Sequence, residues 1–463
     1  MRKTYYFPLT FTLYSRIVAI CLVIAFYGCR TNDGGENVTP QSLSKSTSSY
    51  NNDVAIKWAE MDLRLVRASP GFTPPVAARA LGYAGVTLYE SVVHGMASNQ
   101  SLETQLNGLN TLPKPATDKE YNWAISANTA QWYMAKNLWP NANAKTKTLV
   151  DSLGNALLNS LKAGVADDIV SRSTAYGEEL AKAIFEWSKT DGGHEGFSRN
   201  FPADYKVPIF PGSWQPTENG IKIPLQPYWG KNRTFLVRNG IMTILPPLVI
   251  STDPNSNYFK QYMTVYKKNI SLTQEEKEIS IWWADDPSET FTPPGHSYNL
   301  ARIAALKSAA KLDKAAEAFA RVGLAVADAF IMCWKCKYSF NNERPYTFVR
   351  RAIDPNWIPF WPAPPFPGYT SGHATQSAAT AIVLEDIFGK DFAFTDDSHV
   401  GRLRDQKRNT DFKARSYKSF WEAAQESAYS RFLGGIHTMQ DNETGLQEGK
   451  KLGANINSLN WKK

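Results

Sequence analysis

Apolar residues recur at helical spacing through most of the chain. A first helix is predicted from the apolar run Val54, Ile56, Trp58, Ala59, Met61, Leu63, Leu65 and Val66. A second is predicted from near Pro75 through the stretch VAARALGYAGVTLYESVVHGM. Further helices are predicted at about residues 118–138, 144–163, 166–188, 273–285, 297–312, 313–338, 372–388, 416–433 and 441–457. Since the alternation typical of strands is nearly absent, the pattern predicts an all-α fold of two packed helical bundles.

One long segment interrupts the helical pattern. Residues 191–260 are rich in Gly, Pro, Asn and aromatic residues and show no sustained period. We therefore predict an N-terminal helical region over 53–190, an irregular linking segment over 191–272 and a C-terminal helical region over 273–463.

The N-terminus has the pattern of an export signal. Basic residues precede an apolar run from Ile17 to Tyr27, which is shorter than the about 20 residues that a membrane-spanning helix needs. We expect residues 1–28 to be a signal peptide and the polar residues 29–52 to form a flexible tether.

The end of this signal resembles a bacterial lipobox. In the stretch Phe26-Tyr27-Gly28-Cys29, Cys29 would be lipidated and become the mature N-terminus, although two aromatic residues depart from the usual pattern. The alternative is cleavage by an ordinary signal peptidase. The resemblance implies an exported lipoprotein that faces the periplasm or the cell exterior and touches the membrane only through its anchor.

Composition indicates a protein with a large core and argues against a nucleic-acid-binding protein. The chain has 463 residues, 43% of them hydrophobic, which is ample for a large core. The net charge of +8 is not concentrated in any basic run, so we expect a mild attraction for anions and no nucleic-acid partner.

Cysteine usage excludes a disulfide framework. Of the four cysteines, Cys21 and Cys29 belong to the signal, while Cys333 and Cys336 form the sequence CWKC. This spacing occurs in redox motifs, but here it lies inside a long helical pattern and not at a strand-to-helix turn. Two small side chains on a packed helix are the favoured interpretation.

Three segments of the C-terminal half carry polar groups that a core does not need. They are KYSFNNERP, TSGHAT and SRFLGGIHTMQD. Each places polar residues at the end or the start of a predicted helix. The candidate site residues are Lys337, Arg344, Ser371, Gly372, His373, Ser430, Arg431, His437 and Asp441.

Together these residues suit a tetrahedral oxyanion. Three permanent cations, a hydroxyl and a backbone N–H near a helix start complement two or three negative charges. Asp441, one helical turn after His437, could fix the tautomer of that histidine and raise its basicity. His373 could move a proton.

The order and spacing of these segments resemble a known superfamily. K-x6-R-P, then S-G-H, then S-R-x3-G-x-H-x3-D is similar to the signature shared by vanadium-dependent haloperoxidases and type-2 phosphatidic acid phosphatases. One position departs, because Thr370 stands where the family usually has Pro. The resemblance covers most of residues 54–457, although only the C-terminal motifs are sharp.

The resemblance implies a role for each matched residue. Lys337, Arg344, Arg431, the Ser371 hydroxyl and the Gly372 amide would bind the oxygens of vanadate or phosphate. His437 would be the axial ligand to vanadium or, in a phosphatase, the nucleophile that attacks phosphorus. His373 would help to bind the anion and would be the acid–base residue. In the haloperoxidase scheme, His373 and Lys337 would polarise the bound peroxide. No metal other than vanadium is expected.

Flanking features are similar to the haloperoxidase branch. Trp334 and Phe366 match aromatic positions near the cofactor of vanadium chloroperoxidases, and residues 282–303 resemble the stretch that supplies a carboxylate to the distal arginine. Asp286 is the candidate partner of Arg431, and Asp285 is the alternative. A structural role is favoured for His296.

Two activities fit one pocket, because vanadate and phosphate share charge and shape. The leading hypothesis is a vanadate-dependent haloperoxidase acting on hydrogen peroxide and halide. The alternative is a soluble acid phosphatase that hydrolyses phosphate esters through a phosphohistidine at His437.

An integral lipid phosphatase is disfavoured because the mature sequence contains no apolar span of about 18 residues. A ligand-binding lipoprotein with a decayed site is disfavoured because every polar motif residue is intact.

Overall fold

The computed structural model describes residues 43–217 and 220–463, and the regular secondary structure in this part of the chain is almost entirely helical. The α-helices are α1 (Asp53–Ala68), α2 (Pro74–Glu90), α3 (Trp123–Leu138), α4 (Ala144–Leu161), α5 (Asp167–Ser188), α6 (Val237–Gly240), α7 (Asn257–Asn269), α8 (Gln274–Trp282), α9 (Thr292–Lys307), α10 (Leu312–Phe340), α11 (Pro345–Ala352), α12 (Gly372–Phe388), α13 (Phe420–Leu433) and α14 (Met439–Asn457). Two short strands, β1 (Phe394–Asp396) and β2 (Arg415–Tyr417), pair antiparallel with Phe394 opposite Tyr417. The prediction of an all-α fold is confirmed.

Helix α10 is the centre of the core. Its side chains are buried on nearly every face, and it packs against α2, α9, α12 and α14. Close approach to α2 depends on small residues, because a Cβ at Gly323 would lie 2.7 Å from the carbonyl oxygen of Leu81. The C-terminal end of this buried helix carries Lys337 into the interior.

Helices α12 and α14 are packed even more tightly. Gly445, Gly449 and Gly453 repeat every four residues along one face of α14 and lie against the backbone of α12. A Cβ at Gly445 would lie 2.9 Å from the Ser371 carbonyl oxygen, closer than van der Waals contact allows. These glycines therefore let the start of α12 lie directly beside the start of α14.

The segment predicted to be irregular contains one substantial helix. Within 191–272 the structure places α7 at Asn257–Asn269, capped by the Ser256 hydroxyl, which accepts from the Phe259 amide at 3.1 Å. Its aromatic face, including Tyr258 and Tyr262, is buried against Phe348 of α11. The Gly- and Pro-rich sequence before it obscured this short amphipathic pattern.

Ordered structure also begins within the segment that was predicted to be a flexible tether. The tether was expected to extend to residue 52, but Thr47 is fully buried and its hydroxyl donates to the Val92 carbonyl at 2.8 Å. The Leu312 amide donates to the carbonyl of Tyr50 at 3.2 Å. The predicted signal peptide, Cys29 and the tether up to residue 42 lie outside the described residues.

Several helix boundaries differ from the predictions for local reasons. Helix α8 ends at Trp282, where the predicted helix continued to 285, and the freed loop reaches the site described below. Helix α9 begins at Thr292 because two prolines occupy its first turn. Helix α13 begins at Phe420 because the preceding residues form β2. Helix α11, at Pro345–Ala352, was not predicted.

Within the described residues, no helix combines the length and the apolar character needed to cross a membrane.

Candidate active site

The three polar segments meet where several helices begin or end. Lys337 lies in the last turn of α10, and Arg344 is the residue immediately before α11. Ser371 caps α12, whose first residues are Gly372 and His373. Arg431 lies in the last turn of α13, and His437 lies in the connection to α14.

His437 is oriented by the carboxylate of Asp441. The Nδ1 atom of His437 lies 2.9 Å from Oδ2 of Asp441, which also accepts from the Thr438 amide at 3.0 Å. Because a carboxylate accepts, we assign the ring proton to Nδ1, which leaves a lone pair on Nε2. Burial, helped by Arg344 and Lys337, holds the pKa of His437 well below its usual value, so the ring is neutral. A neutral imidazole with a lone pair on Nε2 can bind a metal or attack an electrophile.

Arg344 lies against this imidazole. Its Nη1 donates to Nε2 of His437 at 3.0 Å and to the Ile436 carbonyl at 2.8 Å, while its Nε donates to the Phe366 carbonyl at 3.0 Å. Burial lowers the pKa of Arg344 to about 9, so the guanidinium remains charged at neutral pH. The guanidinium is therefore fixed directly beside the nitrogen that would bind a ligand.

Lys337 is surrounded by the loop that leads into α12. Its ammonium donates to the carbonyls of Pro367, Gly368 and Thr370 at 3.0, 2.8 and 2.5 Å. Burial lowers the pKa of Lys337 to about 8. The ammonium thus both orders the loop and carries its charge beneath Ser371-Gly372-His373.

The start of α12 offers hydrogen-bond donors. The Ser371 amide donates to the Asp441 carbonyl at 3.0 Å, which ties α12 to α14. The Ser371 hydroxyl accepts from the Ala374 amide at 3.4 Å and has a proton to donate elsewhere. Among the described hydrogen bonds, none uses the amide of Gly372, the first residue of the helix.

Arg431 does not pair with a carboxylate as expected. No carboxylate oxygen of Asp285 or Asp286 lies within 4.0 Å of its guanidinium, whose Nη1 instead donates to the Trp283 carbonyl at 3.0 Å. The physical reason is that the backbone turns at Asp285, where φ is 53°, and directs that carboxylate to two histidines. Asp286 stays near enough to influence Arg431 electrostatically. Burial raises the pKa of Asp286 to about 6, and Arg431 partly offsets this rise.

His373 and Arg431 each have a buried nitrogen without a partner. Nε2 of His373 and Nε of Arg431 are buried and make no hydrogen bond to the described residues. Burial, and then the charge of Arg431, hold the pKa of His373 well below its usual value. Unsatisfied buried polar atoms are costly, so their presence here indicates a place where a ligand supplies the missing partner.

Aromatic side chains enclose the site. The rings of Trp334 and Phe366 lie 5.0 Å apart, and the guanidinium carbon of Arg344 is 4.9 Å from the Phe366 centroid. The predicted site residue Ser430 is not part of this enclosure. Its hydroxyl donates to the Ser427 carbonyl of its own helix at 2.7 Å, a bond that a serine in a helix commonly makes.

One small cavity is lined by residues of the second and third segments and by aromatic side chains. Its wall includes Trp334, Phe366, Gly372, His373, Arg431 and His437. The three cations at or beside it are at most 3% exposed, and among the described residues none makes an ion pair with a carboxylate: Lys337, Arg344 and Arg431. Because a buried cation without a counter-charge is strongly destabilising, this arrangement favours an anionic ligand.

Comparison with known proteins gives matches along most of the chain. Residues 351–460 match the model of the second helical-bundle domain of vanadium chloroperoxidase. A solved bacterial vanadium-dependent iodoperoxidase is 33% identical, with 89% of this chain and 97% of that chain covered and a TM-score of 0.78. This chain belongs to the vanadium haloperoxidase/type-2 phosphatidic acid phosphatase superfamily.

Two more distant superfamily members agree with this assignment. Vanadium chloroperoxidase of Curvularia inaequalis is 26% identical over 87% of this chain and 81% of its own length. A bacterial vanadium-dependent chloroperoxidase solved in its holo form is 18% identical, covers 88% of this chain and 97% of its own, and has a TM-score of 0.65, which supports the shared fold.

Thr370, which stands where the superfamily signature usually has Pro, is hydrogen-bonded to Cys333 of α10. The Thr370 hydroxyl donates to Sγ of Cys333 at 3.7 Å, and that thiol donates back to the Thr370 carbonyl at 3.6 Å. Cys333 and Cys336 are free and buried, and burial raises the pKa of Cys336 to about 12. The CWKC cysteines therefore pack under the loop, as expected for small side chains on a buried helix.

Sequence reasoning missed the residues behind Arg431. His399 and Asp396 lie in a polar stretch without a motif, and the Trp283 group that binds Arg431 is a backbone carbonyl. No side-chain pattern could have identified a carbonyl. The signals for this loop were the pair of adjacent tryptophans before two aspartates and the family resemblance of residues 282–303.

Proposed function

We propose that this protein is a vanadate-dependent haloperoxidase that oxidises halide with hydrogen peroxide. The observation that carries the proposal is a set of three buried cations without carboxylate partners around an oriented, neutral histidine. The iodoperoxidase and chloroperoxidases that resemble this chain favour vanadate as the anion.

The residues present fit vanadate. Nε2 of His437 would bind vanadium, because Nδ1 is occupied by Asp441. Arg344, Arg431, the Ser371 hydroxyl and the Gly372 amide would bind the oxygens, and the unpartnered Nε of Arg431 would gain an acceptor. Lys337 would exchange one of its three carbonyl acceptors for an oxygen of the anion. Bound vanadate would supply the Lewis acid that activates peroxide toward attack by halide.

The side chains of the protein orient the reactants and move protons. His373 is neutral, and its unpartnered Nε2 can accept the proton that hydrogen peroxide loses. Lys337, with a pKa near 8, remains mostly charged at neutral pH and can stabilise developing negative charge. The packed rings of Trp334 and Phe366 form part of the apolar wall of the cavity.

The test is a pair of assays on the purified protein. With vanadate, hydrogen peroxide and iodide, bromide or chloride, we expect vanadate-dependent halide oxidation. A phosphate ester offered without vanadate should be hydrolysed slowly or not at all. Ester hydrolysis through a phosphohistidine, with no vanadate-dependent oxidation of any halide, would reject the haloperoxidase in favour of the phosphatase.

A control variant separates the site from the rest of the protein. His437→Ala should abolish either activity, whereas His94→Ala, at an exposed position, should leave it unchanged. Inhibition by phosphate does not discriminate, because phosphate would compete for the same cations in both schemes.

We also propose that the protein is exported and anchored through a lipid on Cys29. The support is the basic and apolar N-terminal sequence followed by Gly28-Cys29. An anchor of this kind would hold the enzyme at a membrane surface, where its small substrates arrive by diffusion.

A further inference from the structure

A buried network of two histidines and two aspartates lies behind the anion site. Nδ1 of His296 is 2.9 Å from Oδ2 of Asp285, and its Nε2 is 2.7 Å from Oδ2 of Asp396. Nε2 of His399 is 2.9 Å from Oδ1 of the same Asp285. None of the four residues is more than 2% exposed. Such a costly set of buried polar groups needs an explanation.

His296 is the cation of this network. Burial by itself lowers the pKa of His296, but Asp285 and Asp396 more than offset that effect and raise it to about 10. Both ring nitrogens therefore carry protons, and each donates to a carboxylate. The imidazolium is stacked on the indole of Trp283, with ring centroids 4.4 Å apart and planes inclined by 19°. A cation over an indole face is attracted to it, so the network holds this tryptophan in place.

The neighbouring tryptophan is held as well. Nε1 of Trp282 donates to Oδ2 of Asp396 at 2.8 Å, the same oxygen that accepts from His296. Asp396 also accepts from the amide of Ser398 at 3.0 Å. The end of α8 is thereby fixed to β1.

Trp283 connects this network to the anion site. Its carbonyl accepts from Nη1 of Arg431 at 3.0 Å. The same carbonyl interacts with the His373 ring, and this contact opposes part of the fall in the pKa of His373. One backbone oxygen thus restrains two side chains that line the cavity.

We propose that His296 is a positioning residue for the anion site. Clamped between Asp285 and Asp396, it fixes Trp283 so that the carbonyl of that residue aims Arg431 and His373 into the cavity. The proposal rests on the proposed function in one respect, namely that the bound anion is vanadate.

A metal ion is the competing explanation for the same side chains. Asp285, His296 and His399 present three potential ligand atoms within 4.8 Å of one another. Both ring nitrogens of His296 are, however, already at hydrogen-bond distance from carboxylate oxygens, and Asp285 uses its two oxygens for two different histidines. This pairing of donors with acceptors favours the clamp.

The test is a double-mutant cycle read by vanadate affinity on the full mature protein. His296→Gln removes the charge of the clamp, and we expect it to weaken vanadate binding about tenfold in the otherwise wild-type protein. In an Arg431→Gln background the same change should weaken binding less than about twofold, because the group that it positions is already lost. Equal losses in both backgrounds would show that His296 affects folding in general and would overturn the proposal.

Two further variants keep the test decisive. Asp396→Asn preserves shape and should show the same dependence on Arg431, which replaces the first cycle if His296→Gln fails to fold. The exposed histidine variant His94→Gln should leave vanadate affinity unchanged in both backgrounds. Additive loss with Asp396→Asn would also overturn the clamp.

Metal analysis and activity separate the remaining outcomes. One equivalent of tightly bound metal in the wild-type protein, lost in His296→Gln, would overturn the clamp in favour of a metal site. A wild-type protein that binds vanadate without oxidising halide would reject the proposed function and leave the cycle interpretable. A wild-type protein that binds neither vanadate nor phosphate would overturn both proposals.

Discussion

The carboxylate of Asp441 lies 2.9 Å from Nδ1 of His437, one turn along the chain, and this contact decides which nitrogen of the histidine is available. The same carboxylate caps α14 by accepting from the Thr438 amide. The capping box thus both starts the helix and orients the candidate ligand.

Asp441→Asn should weaken vanadate binding. The amide can no longer stabilise the Nδ1 proton as an anion does, so Nε2 becomes less basic and its tautomer is less firmly fixed. We expect a loss of about 10- to 100-fold in vanadate affinity, measured by titration. Asp397→Asn is a control with the same chemical change at a position outside the site. Unchanged affinity in Asp441→Asn would show that the carboxylate is only a helix cap.

His373→Ala should separate turnover from binding. Because the ring acts on a proton and is not expected to hold vanadium, halide oxidation should fall by about 100-fold or more while vanadate affinity changes only modestly. Steady-state kinetics at saturating vanadate, together with vanadate titration, provide the two readouts. A loss of affinity as large as the loss of turnover would assign His373 to binding.

The contribution of Lys337 to vanadate binding should disappear at high pH. Burial lowers its pKa to about 8, so the ammonium is fully charged well below that value and loses its proton as the pH rises through it. The ratio of wild-type to Lys337→Gln affinity should therefore be largest near about pH 6 and fall toward one by about pH 10. Bound vanadate would move the midpoint upward by stabilising the charge. Taking the ratio cancels the titration of vanadate itself, and a ratio independent of pH would contradict the assignment.

Gly449→Ala should disturb the site from a distance. A Cβ at this position would clash with the carbonyl of Thr375 and separate α14 from α12. We expect a loss of about 1–3 kcal/mol in the free energy of unfolding, together with weaker vanadate binding, because Ser371 and Asp441 would move apart. Ala454→Leu, at an exposed position on the same helix, is the control and should change stability little. Thermal and chemical unfolding measure the effect, and wild-type stability in Gly449→Ala would contradict the packing argument.

Cys29→Ala should abolish lipid labelling. Cells that express the full chain and are fed a palmitate analogue should label the wild-type protein, because in the proposed anchor the thiol of Cys29 would be the acceptor. Cys333→Ala is the matched control, since that thiol is buried in the folded protein. Equal labelling of wild type and Cys29→Ala would reject the anchor.

Helical periodicity predicted most of the fold because buried faces repeat over many turns. It failed where few residues carry the pattern: α7 spans Asn257–Asn269 between irregular stretches, and α11 spans only Pro345–Ala352. In both, burial against partner helices stabilises a segment whose local signal is weak.

The site was predicted less completely for a different reason. The motif residues Lys337, Arg344 and His437 carry side-chain chemistry that a sequence displays directly. The partner of Arg431 is a carbonyl, and the choice between Asp285 and Asp286 depends on one left-handed backbone angle. Backbone groups and local turns of this kind leave no mark in residue identity.

The central claim is that His437 and the surrounding cations bind vanadate. A crystal structure of the protein soaked in vanadate, with the anomalous signal of vanadium recorded, tests it most directly. We expect one vanadium peak at bonding distance from Nε2 of His437, with its oxygens contacting Lys337, Arg344 and Arg431. A peak at the Asp285, His296 and His399 cluster, or no peak beside His437, would contradict the account.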